Sequence, residues 1–224
     1  MITILGISGS QVKDGNVSAL LEASLLHTKK IKDVSYEILN LAGKTIGPCL
    51  HCNWCINKQT TERPCFQEDD MGPIYPKLLE ADGILVASPA HFGRLSGLTA
   101  DWMDRTRALV HGKHYKLPLK NKVGGAMAVA FFRGAGLETT LSSLDLFFLT
   151  HQMILANSRM FQLGAGAYSS REGKGRFEKN IRHMTLEDDY GVQSAKMLVE
   201  RVIELARIVQ AGTKALGEGS GFGV

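Results

Sequence analysis

Four cysteines, Cys49, Cys52, Cys55 and Cys65, fall within one short stretch, and the rest of the chain has none. Disulfides contribute most when they close long loops, so such clustering suits metal ligation better than stapling a fold. The donor set leaves three readings open. Three thiolates on one tight loop fit the corner of an iron-sulfur cubane. Four thiolates also suit a closed tetrahedral zinc site, although zinc usually takes paired Cys-x2-Cys hooks. Free or redox-active thiols are the third. His51 stands inside this loop and is read as a spectator.

A second chemistry-bearing segment runs from Ser8 to Ser18, Ser-Gly-Ser-Gln-Val-Lys-Asp-Gly-Asn-Val-Ser, between an apolar run and a helical pattern. Backbone amides at a helix start, and the positive end of its dipole, favour an anion there, and the hydroxyls of Ser8, Ser10 and Ser18 can add donors. The loop has neither the Gly-Lys-Ser/Thr of a Walker A loop nor the G-x-G-x-x-G fingerprint. An ordinary strand-to-helix turn is the alternative. Two further loops follow apolar runs: Pro89 to Gly93, where Phe92 offers apolar surface to a flat ring, and Arg133-Gly134, where a cation and exposed amides stand together. The structural alternatives are Phe92 in the core and Arg133 as a solvated charge.

These loops need elements to position them. Ile2 to Ser8, Val34 to Leu41, Gly83 to Ser88 and Lys122 to Phe131 read as buried parallel strands, with Met153 to Gln162 a fifth candidate. Helical periodicity marks Ser18 to Lys30, with Asn16 as N-cap, and then Gly72 to Glu80, Leu95 to Val110 and Gly136 to His151. The acidic pair Asp69-Asp70 is expected to cap the helix from Gly72. Strand-helix alternation argues a doubly wound α/β sheet, whose right-handed crossovers bring the loops at the carboxyl ends of the strands together. Residues 1–164 are expected to form that domain, including a Cys loop over 47–71. Residues 165–224 are expected to add a polar loop (165–183) and a C-terminal helix packing on the domain or on a neighbouring subunit. Thr185 to Asp188 has the spacing of a capping box, and Val192, Ala195, Val199, Val202, Ala206 and Val209 mark one helical face. The last eight residues, rich in glycine, are expected to fray.

Composition removes other classes. A chain of 224 residues that is 44% hydrophobic and 21% charged can bury a full core. A formal charge of +4 gives no nucleic-acid footprint. The longest apolar run, Val123 to Phe132, is far short of the roughly 20 residues that cross a bilayer. The amino terminus reads as a strand rather than a signal peptide, so a cytoplasmic location is expected.

Taken in order, these segments resemble the NADPH-dependent FMN reductases and the related iron-sulfur flavoproteins. Gly6-Ile7-Ser8-Gly9-Ser10 with Gly15-Asn16-Val17-Ser18 resembles their FMN phosphate loop. Ser88-Pro89-Ala90-His91-Phe92-Gly93 resembles the loop flanking the isoalloxazine ring, where an aromatic residue commonly stands in place of His91. Ala100-Asp101-Trp102-Met103-Asp104-Arg105 resembles the helix ending in Asp-Arg, and Arg133-Gly134-Ala135-Gly136-Leu137-Glu138-Thr139 an Arg-Gly-Gly-Gln-Glu segment. Asp69-Asp70-Met71 matches a stretch common in the family.

The resemblance implies a flavodoxin-like, five-stranded parallel sheet of order 2-1-3-4-5. It implies FMN held by Ser8, Ser10, Asn16, Val17 and Ser18 at the phosphate, and by Pro89, Ala90, His91, Phe92, Gly93, Arg133 and Gly134 around the ring. The cysteines resemble the motif that holds a [4Fe-4S] cluster, but the gap from Ile56 to Pro64 is longer than in cluster-bearing members. The implied activity is an FMN-dependent oxidoreductase with NAD(P)H as donor and a homo-oligomeric state, dimer or tetramer. A non-catalytic FMN electron carrier and a zinc-bearing flavodoxin-like interaction protein are the alternatives.

Overall fold

The structure is a computed structural model, described over residues 1–216; the expected fraying of the last eight residues lies outside the described part. In chain order the elements are β1 (Ile2–Ser8), α1 (Asn16–Leu26), β2 (Val34–Asn40), α2 (Trp54–Asn57), α3 (Ile74–Glu80), β3 (Gly83–His91), β4 (Arg94–Leu95), α4 (Gly97–Arg105), α5 (Arg107–Val110), β5 (Val123–Ala130), α6 (Leu137–Thr150), β6 (Ile154–Ala156), β7 (Ala165–Tyr168) and α7 (Asp189–Leu216). The sheet runs β2-β1-β3-β5-β6 with every pair parallel, which is the expected 2-1-3-4-5 order. Two strands were not expected, so the sheet has seven rather than five. β4 folds back antiparallel on the end of β3, where a helix from Leu95 was expected; that helix starts two residues later, capped by Ser96, whose hydroxyl accepts the Thr99 N–H at 3.1 Å.

The fifth strand position is filled in two pieces. β6 pairs with Val123 to Gly125 of β5 and β7 with Met127 to Ala130, while residues 157–164 leave the sheet between them. Both the N–H and the hydroxyl of Ser158 donate to Gly164 O, closing this excursion. The chain re-enters at Gly164 with φ +80, where a Cβ would lie 2.1 Å from Ala126 O; only glycine fits. The reading of 153–162 as one strand and of 165–183 as loop throughout is thereby corrected. Small residues at 164–167 satisfy a close approach to β5, and their composition imitates a loop.

Two helix starts are also corrected. Gly15, not Asn16, is the N-cap of α1, and no side chain caps it; the Asn16 amide oxygen instead accepts Thr185 N–H at 2.9 Å. The capping-box residues Thr185 to Asp188 largely form a single 3-10 turn, Met184–Glu187. α7 starts after it, and Asp188 does the capping, accepting the N–H of Gly191 at 3.0 Å and of Tyr168 at 2.8 Å.

Strand side chains alternate between two apolar layers. α3, α4 and α6 cover one face, with Trp102, Tyr75 and Phe148 fully buried. α1 and α7 cover the other, where Ala195, Val199, Val202 and Ala206 pack over β1, β3 and β5. The late amphipathic face is thus buried on the chain's own sheet. No described helix is long and apolar enough to cross a membrane.

Candidate functional site

At the carboxyl edge, the loop after β1 is braced from within. Ser8 Oγ and Ser18 Oγ lie 3.0 Å apart, and Ser18 donates to Asn40 Oδ1 at 2.9 Å, tying the loop to the end of β2. Ser10 Oγ accepts Val12 N–H at 3.1 Å. A buried hydroxyl cluster holds the loop from the other side: Ser96 Oγ donates to Gly9 O at 2.7 Å, and Thr99 Oγ1 lies 2.8 Å from Ser96 Oγ and 3.1 Å from Ser88 Oγ. Sequence reasoning missed Ser96 and Thr99; the available signal was two hydroxyls at the start of a helix that follows a buried strand. The result is a helix N-terminus with free amides and no side-chain cap.

That terminus opens on a cavity of 210 Å³. Of the expected residues, Ser10, Asn16, Val17, Pro89, Ala90 and His91 line it. Val129, Phe131 and Ser169, from β5 and the end of β7, complete the wall and were not foreseen. Ser8 and Ser18 sit behind this lining as braces. Phe92 and Gly93 form the two-residue turn of the β3–β4 hairpin, with φ +50 and +77. A positive φ at both positions matches the twist of a tight hairpin, but it strains a phenylalanine. The Phe92 side chain is fully exposed, which removes the core reading. The loop after β5 packs against this turn: a Cβ on Gly136 would fall 2.4 Å from Gly93 Cα, and Thr139 Oγ1 donates to Gly93 O at 2.5 Å. Arg133 turns elsewhere. Its Nε donates to Glu172 O at 3.0 Å, its guanidinium lies 6.0 Å from the Tyr168 ring centroid, and it lines a neighbouring 440 Å³ cavity; Gly134 lies beside it with φ +73.

The cysteine loop follows β2, so it leaves from the same edge. His51 and Asn53, at φ +50 and +57, wind it tightly, and Cys49, Cys52, Cys55 and Cys65 all line one small cavity. Arg105 and Arg107 form its wall. Arg105 is 1% exposed and makes a bidentate pair with Asp69, Nη1 to Oδ2 at 2.5 Å and Nη2 to Oδ1 at 3.0 Å, while Nη1 also donates to Gly47 O. Its Nε is buried without a partner. Burial opposes ionisation of Asp69, but hydrogen bonds from Arg105 and from the amides of Met71 and Gly47 outweigh it and hold the carboxyl below its usual range. Asp70 accepts Thr45 N–H at 2.6 Å. The acidic pair therefore fastens the Cys loop rather than capping α3, which starts at Ile74; the expected capping role is corrected.

Arg107 Nη1 reaches Cys55 Sγ at 3.5 Å, and Nη2 donates to Asn53 Oδ1 at 2.8 Å. Burial pushes the Cys55 thiol up, and Arg107 works against that. The long gap between Cys55 and Cys65 is pinned by Gln59, 5% exposed. Its amide donates to Pro64 O and Ala108 O, and its carbonyl accepts His114 and Tyr115 N–H. Among the described residues, no three His, Cys, Asp or Glu side chains are disposed to hold a single metal ion. Four free thiols line this cavity of about 20 Å³, and four cysteine sulfurs are the donor chemistry that thiophilic metals and iron-sulfur clusters take.

A parallel α/β sheet with a helix terminus, a hairpin turn and a cysteine cavity on one edge defines a flavodoxin-like class. Comparison with known proteins narrows it. Residues 2–167 match the family model of NADPH-dependent FMN reductase, and the chain belongs to that family of flavin oxidoreductases. It is 34% identical over 207 residues to an iron-sulfur flavoprotein of Methanocaldococcus jannaschii, covering 92% of this chain and 98% of the relative. Its fold is similar to the crystal structure of RosB with a bound 8-demethyl-8-formylriboflavin-5'-phosphate, with TM-score 0.73 and 14% identity, over 100% of this chain and 90% of the other. It is also similar to a WrbA-like flavodoxin from Agrobacterium tumefaciens, with TM-score 0.55 and 14% identity, over 94% and 98% of the two chains.

Proposed function

We propose that the chain is an FMN-dependent oxidoreductase that takes electrons from NAD(P)H and holds a [4Fe-4S] cluster on Cys49, Cys52, Cys55 and Cys65. The observation that carries this reading is the gathering of all four thiols around one cavity walled by Arg105 and Arg107. A cluster on four thiolates is an anion, and N–H donors and cations beside its sulfurs stabilise it and set its potential. The partnerless Arg105 Nε and the Arg107 guanidinium are such groups. A zinc ion would need its thiolates about 2.3 Å from one point, whereas a cubane spreads its ligands over separate corners. Relatives of similar length, 34% and 32% identical to this chain, carry the iron-sulfur flavoprotein name.

FMN, when bound, supplies one- and two-electron redox chemistry. The chain's residues bind, orient and shelter it. The amides of Asn16, Val17 and Ser18 with Ser10 receive the phosphate, braced by Ser8. Pro89, Ala90 and His91 lie along the ligand, and Phe92, Gly93, Arg133 and Gly134 stand on the two loops that border its ring. Because β1, β2 and β3 are parallel, the phosphate loop, the cysteine loop and the hairpin share the edge across which electrons would pass. We also assign a dimer or tetramer to the chain, supported by the exposed Leu146 and Leu149 on α6; light scattering at the monomer mass on dilution would refute it.

Cys52→Ala tests the cluster assignment: iron and acid-labile sulfide should vanish while most FMN stays bound. Steady-state oxidation of NADH or NADPH with an artificial acceptor separates the enzyme from a carrier, and turnover is expected.

A further inference from the structure

Between β7 and α7 the chain runs from a wall of the cavity at the start of α1 to the loop before that helix, and is fastened at both ends. Ser169 lines the cavity, and its N–H donates to Ala130 O at 2.8 Å. Ser170 Oγ donates to Phe131 O, and Lys174 bridges to Phe132, which sews the segment to the end of β5. The Phe177 ring stacks on Phe131, a wall residue of the cavity, with centroids 4.5 Å apart and planes 35° apart. The far end of the segment grips the phosphate loop. Arg182 pairs with the Asp14 carboxylate, His183 Nε2 lies 3.3 Å from Asp14 Oδ1 and 3.1 Å from Asp14 O, and Thr185 N–H donates to Asn16 Oδ1.

Stability alone gives little reason for these contacts. Phe177 is 86% exposed, and the Asp14 and Arg182 side chains are 52% and 73% exposed, so the ion pair adds little to folding. What the segment does accomplish is to span from the end of β5 to the first turn of α1.

We propose that residues 169–185 form a strap that selects a flavin mononucleotide over FAD and slows its release. The inference rests on the FMN reading of this cavity. With a phosphate seated on the α1 amides, the adenylate of FAD would have to leave the site past Asp14, and the Asp14, Arg182 and His183 contacts close that exit. A monophosphate ends before it. Selectivity then comes from an obstacle to the longer ligand as much as from contacts to the shorter one. Phe177, seated on Phe131, ties the strap to a wall of the cavity, so its loss would loosen the strap beside the bound ligand.

The test compares FMN and FAD binding, and FMN release, in apo-protein reconstituted with each flavin, for the wild-type chain and the double variant Asp14→Asn/Phe177→Ala. Both residues are exposed, so the apo-protein melting temperature should fall by no more than a few degrees. The wild type should prefer FMN. The double variant should release FMN about tenfold faster and narrow the FMN-to-FAD preference by a similar factor, the size expected when one exposed ion pair and one aromatic pair are lost together. Wild-type protein that takes up no flavin overturns the FMN reading and the strap with it. Protein that binds FMN, but whose preference and release the double variant leaves unchanged, overturns the strap alone.

Discussion

The two loops that leave the carboxyl edge from β1 and β2 are built by different means. The loop after β1 is short and flanked by regular elements, and its fastening is distributed over small hydroxyls, each making one to three bonds. The cysteine loop, residues 41–73, spans 33 residues between β2 and α3 with one four-residue helix, and three side chains, Arg105, Asp69 and Gln59, hold it to α4 and α5. Distributed fastening tolerates the loss of a member. Concentrated fastening does not, because a removed partner leaves buried polar groups uncompensated.

The largest expected effect follows at once. Arg105→Ala leaves Asp69 without its counter-ion and the Gly47 carbonyl without a donor, and should cost about 3–5 kcal/mol in denaturant unfolding. A loss below about 1 kcal/mol would show that the fastening is not concentrated there. Gln59→Ala strips partners from two carbonyls and two amides. It should cost roughly 1–3 kcal/mol and raise the rate at which Cys65 is alkylated in apo-protein, whereas an unchanged rate would separate Gln59 from the gap it spans. On the other loop, Ser10→Ala should weaken FMN by on the order of 1 kcal/mol while the melting temperature barely moves. FMN affinity equal to wild type would place the phosphate elsewhere.

Acid provides a finer division between regions. The native carboxyl of Asp69 titrates below its unfolded value of 3.8, so its contribution is complete above that value and is lost as the pH falls through the lower, folded one. Asp145 on α6 has the opposite sign: burial pushes it up to about 6, so the native state binds its proton more tightly and stability declines as the pH rises from about 4 to 6. Asp145→Asn should remove that decline and leave the acid limb in place; a decline that persists would assign it to another group.

Legibility from sequence followed the same contrast. β1, β2, β3 and β5 could be read because strands covered on both faces are continuous apolar runs, and the loop after β1 could be placed because a helix start after such a strand advertises its amides. The grouping of the cysteines was equally visible. Arg105 was noticed only inside a motif, and nothing local announces that its guanidinium reaches Asp69, 36 positions away. Gln59 resembles any polar loop residue until its four partners from three segments are assembled. β7 escaped because Ala165-Gly166-Ala167 lacks the β-branched bulk that marks a strand; its fit depends on contact with β5 and α7. The cap of α7 moved to Asp188 because that carboxylate also serves Tyr168 N–H, a bond between elements that spacing cannot encode.

The central claim is that both loops serve redox groups on one edge. Its most direct test is the absorption spectrum of protein purified without oxygen, read together with iron, sulfide and flavin content. Flavin bands with a broad cluster absorption, FMN near one per chain and iron and sulfide each near about four per chain are predicted. FMN without iron or sulfide would contradict the cysteine half of the account, and a colourless preparation that takes up no FMN would contradict the whole.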